Sequence, residues 1–198
     1  VRHALPETAA GGKAKLDAFI LDRVEKAGLE PNQPAKRQQL IRRVSFDLTG
    51  LPPAKDEGLS FESYVETLLA SPHFGERWAR LWLDVARFAE DQAHIVGNNA
   101  SLTYPNAFLY RGWVIDAYNQ DIPYDQFLRL QLAVDMLPEM SESEKEAHSA
   151  ALGFMGLGPK YYRRGDLAVM ADEWEDRIDT LTRGVLALTV ACARCHDH

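Results

Sequence analysis

Cysteine is nearly absent from this chain: 198 residues contain two. That supply is too small for a fold stapled by a disulfide framework. Long apolar runs are missing as well, so no segment reads as a membrane-spanning helix. Positive charge is in deficit, with 22 Lys and Arg against 29 Asp and Glu and a formal net charge of -7. Nucleic acid and anionic membrane surfaces reward clustered positive charge, and both are disfavoured as partners. The one basic cluster, Lys36, Arg37, Arg42 and Arg43, reads as the solvated face of a helix. Alternating apolar and polar runs are scarce, so no strand is convincing, and neither an internal repeat nor a low-complexity tract is present. The chain opens at Val1 without an initiator Met, as expected of a processed or excised polypeptide.

What is present is helical periodicity. With 46% hydrophobic residues the chain can bury one sizeable core. Leu16, Phe19, Ile20 and Val24 predict a helix over residues 13–27, and Leu40, Ile41, Val44 and Leu48 predict one over 35–48. Gly50, Pro52 and Pro53 stop the second. Ser60 is a candidate N-cap for a third helix, which ends at Ser71-Pro72. Residues 73–90 form the most aromatic segment, with Phe74, Trp78, Leu81, Trp82, Val85 and Phe88, and are expected deep in the core. Further helices are expected over 106–120 and 124–136, from Ser141 or Ser143 through Met155, and over 167–190. The fold class predicted is all-α: an extension over residues 1–12, then one multi-helical domain over 13–198.

Both cysteines fall in one motif, Cys192-Ala193-Arg194-Cys195-His196-Asp197-His198, following the last predicted helix. C-x-x-C-H is the signature of covalent c-type haem attachment: each thiol can form a thioether to one porphyrin vinyl group, and His196 is then placed as the proximal iron ligand. The cofactor expected is haem c, with its iron. Two other readings use the same residues. A C-x-x-C pair can be a thioredoxin-type redox disulfide, but that motif belongs in a βαβ context. Cys192, Cys195, His196 and His198 could hold zinc, although structural zinc sites usually draw on two separated pairs.

For the second axial position the remaining histidines are His3, His73, His94, His148 and His198, and the methionines are Met136, Met140, Met155 and Met170. His94 is the first candidate, since it lies in the long aperiodic segment 91–105, where a residue can reach over a cofactor. His73 reads as a helix-start residue, and Met155 and Met170 as core fillers. Arg163, Arg164 and Tyr161 (or Tyr162) precede the final helix and offer the cationic and hydroxyl partners that haem propionates need. Asp84, Arg87, Asp176 and Arg177 stand among apolar helical neighbours and read as structural ion pairs joining helices.

Several motifs then recur in a distinctive order: Arg42-Arg43-Val44-Ser45-Phe46-Asp47-Leu48-Thr49-Gly50-Leu51-Pro52-Pro53; Leu69-Ala70-Ser71-Pro72-His73-Phe74-Gly75-Glu76-Arg77-Trp78; Trp82-Leu83-Asp84-Val85-Ala86-Arg87-Phe88; Tyr110-Arg111-Gly112-Trp113-Val114-Ile115-Asp116; Pro123-Tyr124-Asp125-Gln126-Phe127; and the stretch from Leu186 to His198. Together they resemble the planctomycete cytochrome C-associated domain family, whose members are large exported proteins often carrying a separate cytochrome c-like module. The resemblance runs from about residue 14 onward. It implies that the sequence continues past His198 in relatives, so this chain is expected to be a fragment or a processed product. Leu81 stands where many relatives are expected to have a polar residue or His, and it cannot ligate a metal.

The function expected is an exported domain that holds one covalent haem and transfers electrons to or from a redox partner protein or a further domain of the same precursor. Attachment to C-x-x-C-H takes place outside the cytoplasmic membrane, which implies a periplasmic or otherwise exported location. The alternatives are a haem enzyme with an open distal site, peroxidase-type or a redox subunit of a polymer-degrading system, and a zinc-binding module without haem.

Overall fold

Nine α-helical segments, joined in places by short 3-10 turns, make up the regular structure of the described residues, and no strand occurs among them. The computed structural model describes residues 15–54, 58–90, 105–158 and 166–195. In chain order the helices are α1 (Lys15–Lys26), α2 (Arg37–Thr49), α3 (Phe61–Leu69), α4 (Pro72–Val85), α5 (Ala107–Asn119), α6 (Tyr124–Ala133), α7 (Glu142–His148), α8 (Gly153–Gly156) and α9 (Leu167–Leu186). The chain divides into two compact units, with the boundary between Leu40 and Ile41. In the first, α1 leaves Phe19 and Ile20 exposed and is braced on its polar side by a Lys26–Asp22 pair at 2.9 Å. The second unit holds the core.

Local signals set several of the helix starts. The Ser60 hydroxyl accepts from the Ser63 N–H at 3.0 Å and caps α3. Ser71 does the same for α4, accepting from the His73 N–H at 3.3 Å, with Pro72 in the first turn where its missing N–H costs nothing. Of the two candidate serines ahead of α7, Ser141 is the cap, and it forms a reciprocal capping box with Glu144. His73 is a helix-start residue, its Nδ1 lying 2.7 Å from Glu76. The basic cluster Lys36, Arg37, Arg42 and Arg43 is exposed throughout.

The core gathers Ala79, Trp82, Tyr110, Trp113, Val114, Ala117, Phe127, Leu130 and Phe154 from α4, α5, α6 and α8. Helices α4 and α5 come into close contact at Gly75. A Cβ there would lie 2.4 Å from the Ile115 carbonyl oxygen, so only glycine lets the Gly75 N–H donate to Asn119 Oδ1 at 2.8 Å. Inside the core three polar side chains satisfy one another. Trp82 Nε1 donates to Gln131 Oε1 at 2.7 Å, and the Tyr110 hydroxyl donates to the same oxygen at 2.7 Å. Gln131 Nε2 then donates to the Phe127 carbonyl at 3.1 Å. Buried without these partners, each group would cost about 1–3 kcal/mol.

Three sequence expectations change. The aromatic helix is not the deepest element: α4 exposes Leu81 and Val85, whereas α5 buries Ala107, Tyr110, Trp113, Val114 and Ala117. These buried positions recur at helical spacing on one side of α5, but the apolar Phe108 and Leu109 stand exposed on its other sides, which blurs the stripe that a periodicity argument needs. The helix expected from Ser141 through Met155 is broken into α7, a 3-10 turn Ser149–Leu152 and α8, which brings Phe154 onto Trp82 at 5.6 Å between ring centroids. Finally, α9 stops at Leu186 rather than near residue 190, because Ala187 turns left-handed at φ 55 and the Leu188 N–H folds back to the Thr182 carbonyl at 3.1 Å.

Candidate functional site

Helix α9 leads into the cysteine motif, and an ion pair between Arg87 and Asp176 ties it to the bundle. Arg87, at the end of α4, takes a left-handed φ of 49, a conformation that costs an ordinary residue about 1–2 kcal/mol. From there its Nε donates to Asp176 Oδ2 on α9 at 2.8 Å, and its Nη1 donates to the Phe154 carbonyl at 3.3 Å. Gly158 lies against the pair, since a Cβ there would fall 2.5 Å from Asp176 Oδ2. Of the four residues expected to form structural ion pairs joining helices, Arg87 and Asp176 do so, whereas Arg177 lies 3.9 Å from Glu173 on its own helix. Thr180 is buried beside Asp176 and Leu181 packs on the core.

The outer side of α9 is different. Leu167, Met170, Trp174 and Ile178 recur at helical spacing, and all are exposed. Met170 is therefore not a core filler, whereas Met155 does pack against the core.

After α9 the chain runs through residues 187–190 into a 3-10 turn, Ala191–Arg194. The Ala193 N–H donates to the Val190 carbonyl at 2.9 Å and the Cys195 N–H to the Cys192 carbonyl at 3.3 Å. In a 3-10 turn residues three apart eclipse one another. Cys192 and Cys195 therefore share one side, and both are exposed free thiols. Val190, Ala191, Ala193 and Arg194 occupy the other two sides. They face Trp174 and Ile178 of α9 across a slot of about 350 Å³. Arg194 spans it, its Nη1 donating to Glu175 and its Nη2 to Asp172, each at 2.5 Å. The two carboxylates, Asp172 foremost, raise the guanidinium pKa further.

Of the residues singled out in the sequence, the structure brings Cys192 and Cys195 together. His196, His94, Tyr161, Arg163 and Arg164 lie outside the described residues, as do Tyr162 and His198. Among the described residues no group of three or more His, Cys, Asp or Glu is placed to hold a metal ion. His148 has a structural partner, its Nδ1 accepting from Trp113 Nε1 at 3.0 Å. Sequence reasoning missed the link from Arg194 to Asp172 and Glu175. Its signal was present as two acids three positions apart on one helix face, but nothing local connects them to an arginine about 20 residues downstream.

Among the described residues no helix is long and apolar enough to cross a membrane. A family model described as PSCyt2, protein of unknown function (DUF1549), matches residues 15–198. No curated protein and no solved structure matches the chain. The chain belongs to the PSCyt2 family.

Proposed function

We propose that this PSCyt2 chain is an exported c-type haem domain that carries electrons for a redox partner protein or for a further domain of the same precursor. The observation that supports this most is the pair of unbridged, exposed thiols eclipsed on one side of the Ala191–Arg194 turn, with His196 next in sequence. This donor set suits a porphyrin: two sulfurs on one side would serve two vinyl groups, and an imidazole follows in sequence for the iron. Cys192 and Cys195 would hold the group by thioether bonds, each thiol giving its sulfur to one vinyl carbon and its proton to the other, so no oxidant or reductant would be consumed. The haem, when bound, supplies one-electron chemistry at the iron.

The chain's own residues then have separate tasks. Cys192 and Cys195 hold the group against loss by dilution, which suits a location outside the cytoplasmic membrane. On this reading His196 is the proximal ligand and His94 the distal candidate, with Arg163, Arg164 and Tyr161 as partners for the propionates. The bundle of α4, α5, α6 and α8 is the rigid support, and the Arg87–Asp176 bridge couples the motif-bearing helix to it. The family name, read as planctomycete cytochrome, agrees with the resemblance drawn from the sequence.

The test is intact mass and a pyridine haemochrome spectrum on chain produced in a host competent for covalent haem attachment. Mass in excess of the polypeptide by one haem, retained through acid-acetone extraction, is the expected result. A bare polypeptide mass from such a host overturns the reading. Carbon monoxide binding to the reduced protein then separates electron transfer from open-site catalysis, because six-coordinate iron leaves no free position.

A further inference from the structure

We infer that Arg194, inside the Cys-Ala-Arg-Cys spacer, is a positioning residue: latched to Asp172 and Glu175, it holds the motif turn so that both thiols point away from α9 and stay presented for haem attachment. This rests on the haem reading of the same thiols and adds the device that orients them.

The turn has little else to fix it. Its backbone hydrogen bonds, among them those of Ala193 and Cys195 at 2.9 and 3.3 Å, belong to a 3-10 geometry that is poor even when regular. Packing does not lock its rotation either. The residues facing α9 are the small Ala191 and Ala193 with Val190, and a slot of about 350 Å³ separates them from Trp174 and Ile178. A turn rolled by one residue position would carry Cys192 and Cys195 into that slot.

What opposes the roll is the fork of Arg194. Two nitrogens of one planar guanidinium each meet a different carboxylate at 2.5 Å. Asp172 and Glu175 are three residues apart and therefore neighbours on the surface of α9. A lysine has a single ammonium and cannot reproduce that two-point geometry. The three groups are partly exposed, with side-chain accessibilities of 52%, 40% and 28%, and solvent-accessible pairs add little to global stability. The latch therefore acts on the direction of the turn rather than on folding.

This separation makes the inference testable in the full chain, produced in a host competent for attachment as wild type, Arg194→Lys, Arg194→Ala and the double variant Asp172→Asn/Glu175→Gln. Intact mass gives the fraction carrying haem through two thioethers, one or none. Thermal unfolding reports the fold, and iodoacetamide alkylation rates on chain made without haem report thiol presentation. Arg194→Ala and the carboxylate double variant should each lower the doubly attached fraction about threefold, with Arg194→Lys between, and should change the alkylation rates, while the melting temperature stays within the small range expected for exposed pairs. The double variant leaves the motif intact, so a fall confined to the Arg194 variants overturns the latch. Full loading and wild-type alkylation rates in every variant overturn it too, as does a loss of loading that only follows a loss of stability. Wild type without haem overturns the underlying haem reading; loaded wild type with equally loaded variants overturns the latch alone.

Discussion

The bundle and the C-terminal arm solve opposite problems with the same kinds of residue. In the bundle Trp82 is 8% exposed and its indole N–H is satisfied inside the core. On α9, Trp174 is 50% exposed and borders a slot rather than a neighbour. Polar groups are arranged just as differently. Gln131 and Tyr110 are completed within the core, whereas Arg194, Asp172 and Glu175 meet at the surface. The bundle encloses Trp82 and Gln131 with their partners, and the arm leaves Trp174, Ile178 and both thiols outward. That is the division expected between a support and the segment it presents.

The sharpest way to break this comparison is Trp82→Ala. Removing a fully packed indole costs about 3–5 kcal/mol, a large part of a domain stability of about 5–15 kcal/mol. It also strips Phe154 and Phe127 of rings at 5.6 and 5.0 Å. Chemical denaturation at neutral pH should show that loss. A change below about 1 kcal/mol would mean the core is as loosely filled as the arm, against the usual cost of such a cavity.

Alkaline pH probes the same core without a cavity. Burial, with lesser opposing contributions from the Trp82 hydrogen bond and the Arg87 charge, raises the Tyr110 phenol well above its ordinary 10.0. A raised acid keeps its proton in the native state while the unfolded chain releases its own. Stability is therefore fully present below pH 10 and falls as pH climbs from there, by at most about 1.4 kcal/mol per unit for one group. Denaturation midpoints between pH 9 and 11.5 should fall more steeply in wild type than in Tyr110→Phe. Equal slopes would show that the phenol is not held in a dry core.

The joint between the regions should respond more weakly. Arg87→Met keeps bulk but leaves Asp176 without its partner, and about 1–2 kcal/mol is expected for a charged hydrogen bond at a half-buried site. Hydrogen exchange should rise in the amides of α9 before those of α5. Arg87→Gly removes the same bridge but relieves the left-handed backbone, so it should cost about 1 kcal/mol less than Arg87→Met. The opposite ranking would show that the side chain, not the backbone, sets the conformation there.

How much of this was readable from the chain follows the same division. The all-α class, the caps at Ser60 and Ser141 and the stop at Gly50-Leu51-Pro52-Pro53 depend on residues a few positions apart, and those signals survive folding intact. The central place of α5 depends on neighbours that arrive from α4, α6 and α8, and its exposed Phe108 and Leu109 hide in the sequence which of its sides is buried. The shared side of Cys192 and Cys195 was half readable: the spacing of three was visible, but the 3-10 geometry that eclipses them was not, because the helix pattern ran on to residue 190. The fork of Arg194 was not readable at all, since charge alone names no partner at that separation.

The smallest effect expected is at Trp174. Truncating a tryptophan in a core is among the most damaging substitutions, yet Trp174→Ala should change stability by no more than about 0.5 kcal/mol, the range of surface positions without special contacts. The physical reason is that half of the ring is already in water, and its inner edge borders the slot with Ile178 instead of a packed partner. Little apolar area is therefore returned to solvent, and no close-packed neighbour is left facing a new void. Measured beside Trp82→Ala under the same denaturant, the two tryptophans should differ by at least about 2.5 kcal/mol on those ranges. If Trp174→Ala instead approaches the cost of Trp82→Ala, the slot is closed in solution and the arm is a second core, and an outward-facing segment carried on a finished support is then the wrong description of this chain.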